Sequence, residues 1–370
     1  RNSTVSVQDN WCTLKMPPYH RDISIGILMG SHSNKQKRTI RQMISEKALD
    51  IIIGTHSLLQ KEVGLPDMAL AIVDEQHRFG VMQRASLREK GQTPHMLVMS
   101  ATPIPRSLAL TLYGDLDLSV LDELPPGRQK ILTKRIPSED RFTAYEFLRK
   151  EVGEGHQCFV VCPLIEESET LQIRAATSEF QYLSQDIFPE LSLGLLHGRM
   201  NLENKEIVMR EFQSGKIDIL VSTPVVEVGI DNPNATVILI NGADRFGLAQ
   251  LHQFRGRVGR GTHTSHCLLL SESQSAIANE RLEAMQRVSD GFAVAEEDLR
   301  FRGPGDFFGT RQSGLPNLRM ARLSDRDLLN IAREGASIVM RDDPALEKQE
   351  NILIATELHK YMSLINPDNS

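Results

Sequence analysis

The feature that most constrains this chain is the recurrence of short, unbroken apolar runs separated by longer amphipathic stretches. Residues 25–29, 50–53, 69–73 and 96–99 come first, and residues 159–161, 193–196, 217–221, 236–240 and 267–270 follow, polar only at Asp50, Asp218 and Thr236. An unbroken run cannot turn one face to water, so each such strand must be covered on both faces. That is the pattern of a parallel sheet between layers of helices. Residues 35–49, 177–187, 201–213 and 248–258 read as the covering helices. The expected fold class is therefore α/β, as two successive alternations, and 370 residues are too many for one ordinary core.

Prolines 103, 105, 125 and 126 mark the exit from the first alternation, with a linker at about 123–128. The expected organisation is an irregular start over 1–22, an incomplete first unit over 23–127 and a second over 128–272. A helical hairpin and loop over 273–323 and C-terminal helices over 324–370 complete it. Ser324 with Asp327 reads as a capping box for a helix reaching about residue 340, and Asp343-Pro344 as the start of the last helix.

Active groups of parallel sheets gather at the carboxyl ends of the strands. Gly54-Thr55-His56, Asp74-Glu75-Gln76-His77 and Ser100-Ala101-Thr102 each follow a strand, and side by side they would line one edge of a single sheet. In the second alternation His197-Gly198 follows one strand, and Thr223, Glu227, Gly229 and Asp231 follow another. Read as a helix, residues 248–258 put Leu248, Leu251, Phe254 and Val258 on one stripe and Gln253, Arg257 and Arg260 opposite. Arginine stays charged at any working pH, so this face suits a polyanion, most plausibly a nucleotide phosphate. The glycines at 256, 259 and 261 imply close approach to the backbone.

Composition narrows the function classes. Apolar residues at 40% and charged residues at 24% are those of a soluble globular protein, and no apolar run reaches about 18 residues, so no membrane span is expected. The start lacks both an initiating Met and the apolar core of a signal peptide, so a piece of a longer chain is expected. Cys12, Cys158, Cys162 and Cys267 have no metal-binding spacing and fit a reducing cytoplasm; His263 and His266 read as strand-end residues. A net charge of −6 confines any nucleic-acid contact to a local surface.

The strand-end clusters and residues 253–260 occur in the order found in superfamily 2 helicases. More narrowly, residues 74–80 and 100–106, the stretch Leu299-Arg-Phe-Arg-Gly-Pro-Gly305 and Gly309-Thr-Arg-Gln-Ser-Gly314 resemble the bacterial RecG-type branch-migrating helicases. The likeness runs from about residue 23 to 323; the transcription-repair coupling factor is the next nearest pattern. The resemblance implies two RecA-like motor domains, the first incomplete, followed by a mainly helical region. It implies ATP and Mg²⁺ as cofactors and branched or forked duplex DNA as partner. It also implies a monomer in the nucleoid-associated cytoplasm.

It further implies that Asp74 holds Mg²⁺ through water and that Glu75 positions the attacking water. Gln76 and His77 would meet the nucleotide and link it to the facing domain, Gly229 and Asp231 would also meet the nucleotide, and Ser100 and Thr102 would couple the domains. Gln253, Arg257 and Arg260 would reach the developing charge on the γ-phosphate. Gly54, Thr55, His197 and Thr223 would contact nucleic acid, as would Arg281, Arg287, Arg302 and Gln312 of the element that converts motor motion into DNA movement. For those last arginines ordinary salt bridging with neighbouring acids, such as Glu280, is the competing reading.

One part of the pattern is missing. No GxxxxGK[ST] stretch exists to cradle phosphates, since the only Gly-Lys pair, Gly215-Lys216, is followed by Ile217. Pro224 stands where the family usually has Thr. Two readings follow: a C-terminal portion of a RecG-type helicase that is inactive alone, or a non-catalytic remnant that binds DNA or a partner.

Overall fold

The computed structural model describes residues 5–8, 10–15, 22–60, 62–65, 67–74, 94–100, 117, 119–121, 123, 129–163, 169–224, 232–307 and 326–365. The chain divides into two compact units, Arg1–Thr102 and Pro103–Ser370.

The first unit contains β1 (Val5–Gln8), β2 (Trp11–Lys15), β3 (Asp22–Leu28), α1 (Asn34–Ser45), β4 (Ile51–Gly54), β5 (Leu70–Val73) and β6 (His95–Val98). β1 and β2 occupy the start that the sequence left irregular; their short Val-Ser-Val-Gln and Cys-Thr-Leu-Lys alternations are easily taken for loop. β1-β2-β3 run antiparallel and β3-β4 parallel. Ser33 opens α1 with a capping box: its hydroxyl accepts from the Gln36 N–H at 3.3 Å, and its own N–H donates to the Gln36 side chain at 2.9 Å. Leu28, Ile40 and Val63 form the small core beneath that helix.

Two expectations fail here. β5 and β6 pair with each other as a separate parallel ladder, so among the described residues the three polar strand ends do not share one sheet. These strands are also not covered twice. In β5 Val73 is 5% exposed but Leu70 is 55% exposed, and Ile51, Ile53, Ile72 and Leu97 are open likewise. An apolar run predicts that cover is needed, not which segment supplies it.

The second unit realises the pattern in full. It contains β7 (Ile131–Pro137), α2 (Arg141–Gly153), β8 (Gln157–Val161), α3 (Glu169–Tyr182), β9 (Leu193–Leu196), α4 (Leu202–Gln213) and β10 (Ile219–Ser222). β11 (Ala235–Ile240), α5 (Leu248–Arg255), β12 (Ser265–Ser271), α6 (Ala276–Arg287), α7 (Gly291–Phe307), α8 (Arg326–Asp342) and α9 (Ile352–Ile365) follow. All six strands are parallel, in the order β7-β12-β11-β8-β10-β9. β7 and α2 escaped the sequence reading because β7 is an edge strand whose apolar residues are interrupted by Thr133, Lys134 and Arg135.

The two-residue period of a strand splits each apolar run between two cores. Phe159, Val161, Leu220, Ile238, Ile240, Cys267 and Leu269 face α4, α5, α6 and α7. Cys158, Val160, Ile219, Val221, Val237, Leu239, Leu268 and Leu270 face α2 and α3. Each fully buried side chain of this size contributes about 1.5–3 kcal/mol, so the double cover is what stabilises the unit.

Two helix boundaries differ from expectation. α3 begins well before residue 177 and ends in a wider turn over Leu183–Ile187, where the Phe188 N–H reaches the Leu183 carbonyl at 2.7 Å. Asp343 does not begin the last helix. Its carboxylate instead accepts from the N–H groups of Glu347 and Lys348 and from Asn351 Nδ2, closing a loop before α9 starts at Ile352.

Candidate functional site

β8 is the switch point of the second sheet: the chain proceeds from it to β9 and β10 on one side, then crosses to β11 on the other. Ligand crevices of such sheets open at the carboxyl ends of the strands flanking that point. The pairing of Ser222 with Leu196 sets Thr223 beside His197, and the Thr223 N–H donates to the Leu196 carbonyl at 3.2 Å. Thr223 is buried, and so is the Ser222 hydroxyl, which has no hydrogen-bond partner among the described residues. His197 is half-buried with its Nδ1 unpartnered among those residues. Burial, then the nearby Lys205 ammonium, pushes its pKa down and so disfavours the imidazolium. Glu227, Gly229 and Asp231 lie outside the described residues.

A polar cluster that the sequence did not reveal occupies the same edge. The Glu179 carboxylate on α3 accepts from Asn241 Nδ2 at 3.2 Å, beyond β11, and from the Tyr145 hydroxyl at 3.5 Å. Burial raises its pKa against the opposing pull of Arg141, which itself pairs with Glu272 at 2.7 Å. Tyr145 is likewise pushed up, first by burial and then by Glu179.

α5 carries the predicted stripe: Leu248, Leu251, Phe254 and Val258 are all buried. The helix nevertheless ends at Arg255, so Gln253 does not share a helix face with Arg257 and Arg260. Those arginines stand on the loop to β12, Arg257 half-buried and Arg260 exposed. The glycines explain the break. Gly259 has φ +76° and a side chain there would come within 2.8 Å of Ile131, while at Gly261 it would strike the Pro233 carbonyl. The close approach inferred from these glycines is thus made by the protein's own chain. α5 therefore leads from the carboxyl edge, where Thr223 and His197 lie, to the opposite end of the sheet.

The arginine that sequence reasoning passed over is Arg255. It is 4% exposed, and its guanidinium donates to the carbonyls of Met285 at 3.2 Å, Val288 at 2.7 Å and Ser289 at 2.9 Å. The terminal nitrogen that bonds Ser289 also lies 2.9 Å from His252 Nδ1. The last carbonyls of a helix lack intrahelical donors, and Arg255 supplies them for α6, fastening α5 to the α6–α7 turn. Its position next to Phe254 and one turn after Leu251 was the available signal.

In the helical hairpin, Arg281 donates to the Phe246 carbonyl, a packing role. Arg287 is exposed in the last turn of α6. The salt-bridging reading applies to Arg300, which pairs with Glu280 and Glu297, each at 3.0 Å. Arg302 lies in α7 with its side chain outside the described set, and Gln312 is outside it altogether.

In the first unit, Asp74 directly follows β5 and Ser100 lies just beyond β6; the Val73–Val98 register brings both to the same edge, exposed. An exposed carboxylate is a hard oxygen donor of the kind Mg²⁺ takes. Glu75, Gln76, His77 and Thr102 lie outside the described residues. Gly54 is required by its own fold, since a side chain there would meet the Leu28 carbonyl and Leu58, and exposed Thr55 opens the turn over His56–Leu59.

A parallel α/β second unit beside a mixed first one, polar strand ends and an arginine-bearing loop are the features of the superfamily 2 helicase class. Family profiles agree: "DEAD/DEAH box helicase" matches residues 13–111, "Helicase conserved C-terminal domain" residues 143–262, and "ATP-dependent DNA helicase RecG, domain 3, C-terminal" residues 288–366. The chain belongs to the RecG family. It is 50% identical to the ATP-dependent DNA helicase RecG of Synechocystis over 93% of this chain and 41% of that protein. It is 43% identical to that of Bacillus subtilis over 97% of this chain and 51% of that protein. A solved structure of RecG bound to a three-way DNA junction aligns at 44% identity and TM-score 0.61, covering 83% of this chain and 40% of that one. The chain thus spans about half the length of these relatives or less. A Mycobacterium smegmatis helicase Lhr, at 21% identity over 71% of this chain and 37% of that one with TM-score 0.52, shares the fold. Among the described residues no helix is long and apolar enough to cross a membrane.

Proposed function

We propose that this chain is the motor portion of a RecG-type helicase that remodels branched or forked DNA in recombination and repair, working as a monomer in the cytoplasm. The main support is its likeness, at 44% identity, to a RecG whose structure is bound to a three-way DNA junction. ATP with Mg²⁺, when bound, would supply the free energy of phosphoanhydride hydrolysis. In this reading Asp74 holds the ion through water and Glu75 orients the attacking water. Gln76, His77, Gly229 and Asp231 hold the nucleotide. Arg257 and Arg260 stabilise charge on the transferred phosphoryl group, with Gln253 behind them.

Ser100 and Thr102 link the two motor domains. Gly54, Thr55, His197 and Thr223 track the nucleic-acid backbone, and Arg287, Arg302 and Gln312 carry the motion to duplex DNA. Arg281, bonded to Phe246, acts by holding the hairpin in position.

The absence of a GxxxxGK[ST] stretch supports a second element of the proposal: this chain alone is catalytically silent. In a longer chain carrying that loop, the loop-bearing segment would also cover the open faces of Ile53, Leu70, Ile72 and Leu97. The test is Arg260→Ala in such a chain. The expected result is a fall in the rate of DNA-stimulated hydrolysis of roughly 10³-fold or more with nucleotide affinity nearly unchanged. Equal losses in rate and affinity refute the role of Arg260.

A further inference from the structure

At the amino ends of the strands of the second unit, away from His197 and Thr223, ionisable side chains from separate segments converge. Glu151 and Glu154 come from the end of α2, His156 precedes β8, and His263 lies on the loop between α5 and β12. Glu151 is only 7% exposed. Its Oε2 accepts from the Thr236 hydroxyl at 2.8 Å and faces His156 Nδ1 at 3.0 Å. The His156 and His263 rings lie 4.7 Å apart at 52°. One potential ligand atom from each of Glu151, Glu154 and His156 falls within 4.8 Å of the others.

A carboxylate this buried requires donors or positive charge. Among the described residues its only partner able to carry charge is an imidazole, already packed against a second one. We propose that Glu151, Glu154, His156 and His263 form a binding site for a divalent transition cation of the zinc class. The donor set fits that class: zinc takes imidazole nitrogen and carboxylate oxygen together, whereas Mg²⁺ and Ca²⁺ take oxygen alone. Around a tetrahedral ion with bonds of about 2.0–2.2 Å, neighbouring ligand atoms stand about 3.4 Å apart. The Glu151–His156 pair is already near that spacing. Among the described residues the Glu154 side chain pairs with Lys150 at 3.6 Å, an exposed contact that yields at little cost.

His266, on β12, stacks its ring edge-on to Phe147, 4.9 Å away. His263 and His266 read as plain strand-end residues in the sequence because the partner of His263 is distant in the chain. The site also has a mechanical consequence. His263 shares its loop with Arg257 and Arg260, so an ion here would tether that loop to the α2–β8 turn. The consequence rests on the role proposed for Arg260, whereas the site itself does not.

The test needs neither DNA nor nucleotide: titration of the full chain with ZnCl₂ against a chromophoric chelator, with Co²⁺ substituted to read ligand-field absorption. The expected result is saturation at a single equivalent. His156→Ala and His263→Ala should each weaken binding at least about tenfold, the lower end of the loss seen even for outer-shell changes. Glu154→Gln should weaken it too while leaving the buried Glu151–His156 pair intact, so the test survives if a histidine variant misfolds. His359→Ala, on exposed α9, should titrate like the parent. Failure of the parent to bind, or unchanged binding in His156→Ala, His263→Ala and Glu154→Gln, overturns the site.

Discussion

Replacing Arg255 by alanine removes a buried side chain that closes the end of α6. The carbonyls of buried Met285, half-buried Val288 and exposed Ser289 lose the Arg255 donor together. A hydrogen bond to a charged group is worth about 1.5–3 kcal/mol, and orphaning a buried acceptor costs about 1–3 kcal/mol. A cation at a helix C-terminus adds about 0.3–2 kcal/mol. Burial works the other way, since it lowers the Arg255 pKa and so taxes the charged form. Three shared contacts are not additive, and an alanine leaves room for water to reach some of the carbonyls. The expected net loss is about 3–5 kcal/mol, in line with removing one partner of a buried charged contact. For a unit of this size that is a fall of roughly 6–20 °C in the unfolding midpoint. Scanning calorimetry on the second-unit transition reads it directly. Arg255→Lys should recover only part, because an ammonium cannot serve three carbonyls in the planar fork geometry. An Arg255→Ala midpoint shifted by less than about 0.5 kcal/mol equivalent, the range of a surface change, would refute the reasoning.

Two further predictions concern the same unit. Burial raises the Glu179 pKa in the folded chain, so this carboxyl contributes stability below its unfolded pKa of about 4.3 and loses it as pH rises through the folded value. Glu179→Gln keeps the acceptor for Asn241 and should raise the thermal midpoint at pH 8 but not near pH 4; a gain equal at both refutes it. Gln157 donates to the Phe212 and Ile217 carbonyls, each at 2.6 Å, and accepts from Asn232 at 3.1 Å. Gln157→Leu should therefore cost about 2–4 kcal/mol in urea unfolding, and a loss under about 1 kcal/mol would mean that water takes over those contacts.

Much of the second unit was legible because its strands are covered twice and carry unbroken apolar runs, as at residues 236–240. Its edge strand β7 was hidden by Lys134 and Arg135, which a strand paired on one side tolerates. In the first unit the same runs misled, since Leu70 and Ile72 are apolar without being covered. At the site, residue order marked Asp74 correctly as a strand-end group, whereas Arg257 and Arg260, expected on a helix face, stand on a loop. The helix was extended too far, because the apolar stripe continues to Val258 while after Gly256 the turns tighten to three-residue hydrogen bonds and leave the helix. Glu179 and the His156–His263 pair were invisible, and for Arg255 only its place on the apolar stripe was legible, for a shared reason: the partners are distant in sequence, and no local period encodes such contacts.

The central claim is that this chain carries the motor residues of a RecG-type helicase without a cradle for phosphates. DNA-stimulated ATP hydrolysis on forked DNA tests it most directly. The account predicts no turnover above the DNA-free control for this chain, and turnover once the chain is extended upstream through a GxxxxGK[ST] loop. Robust hydrolysis by this chain alone, abolished by Glu75→Gln, would contradict it.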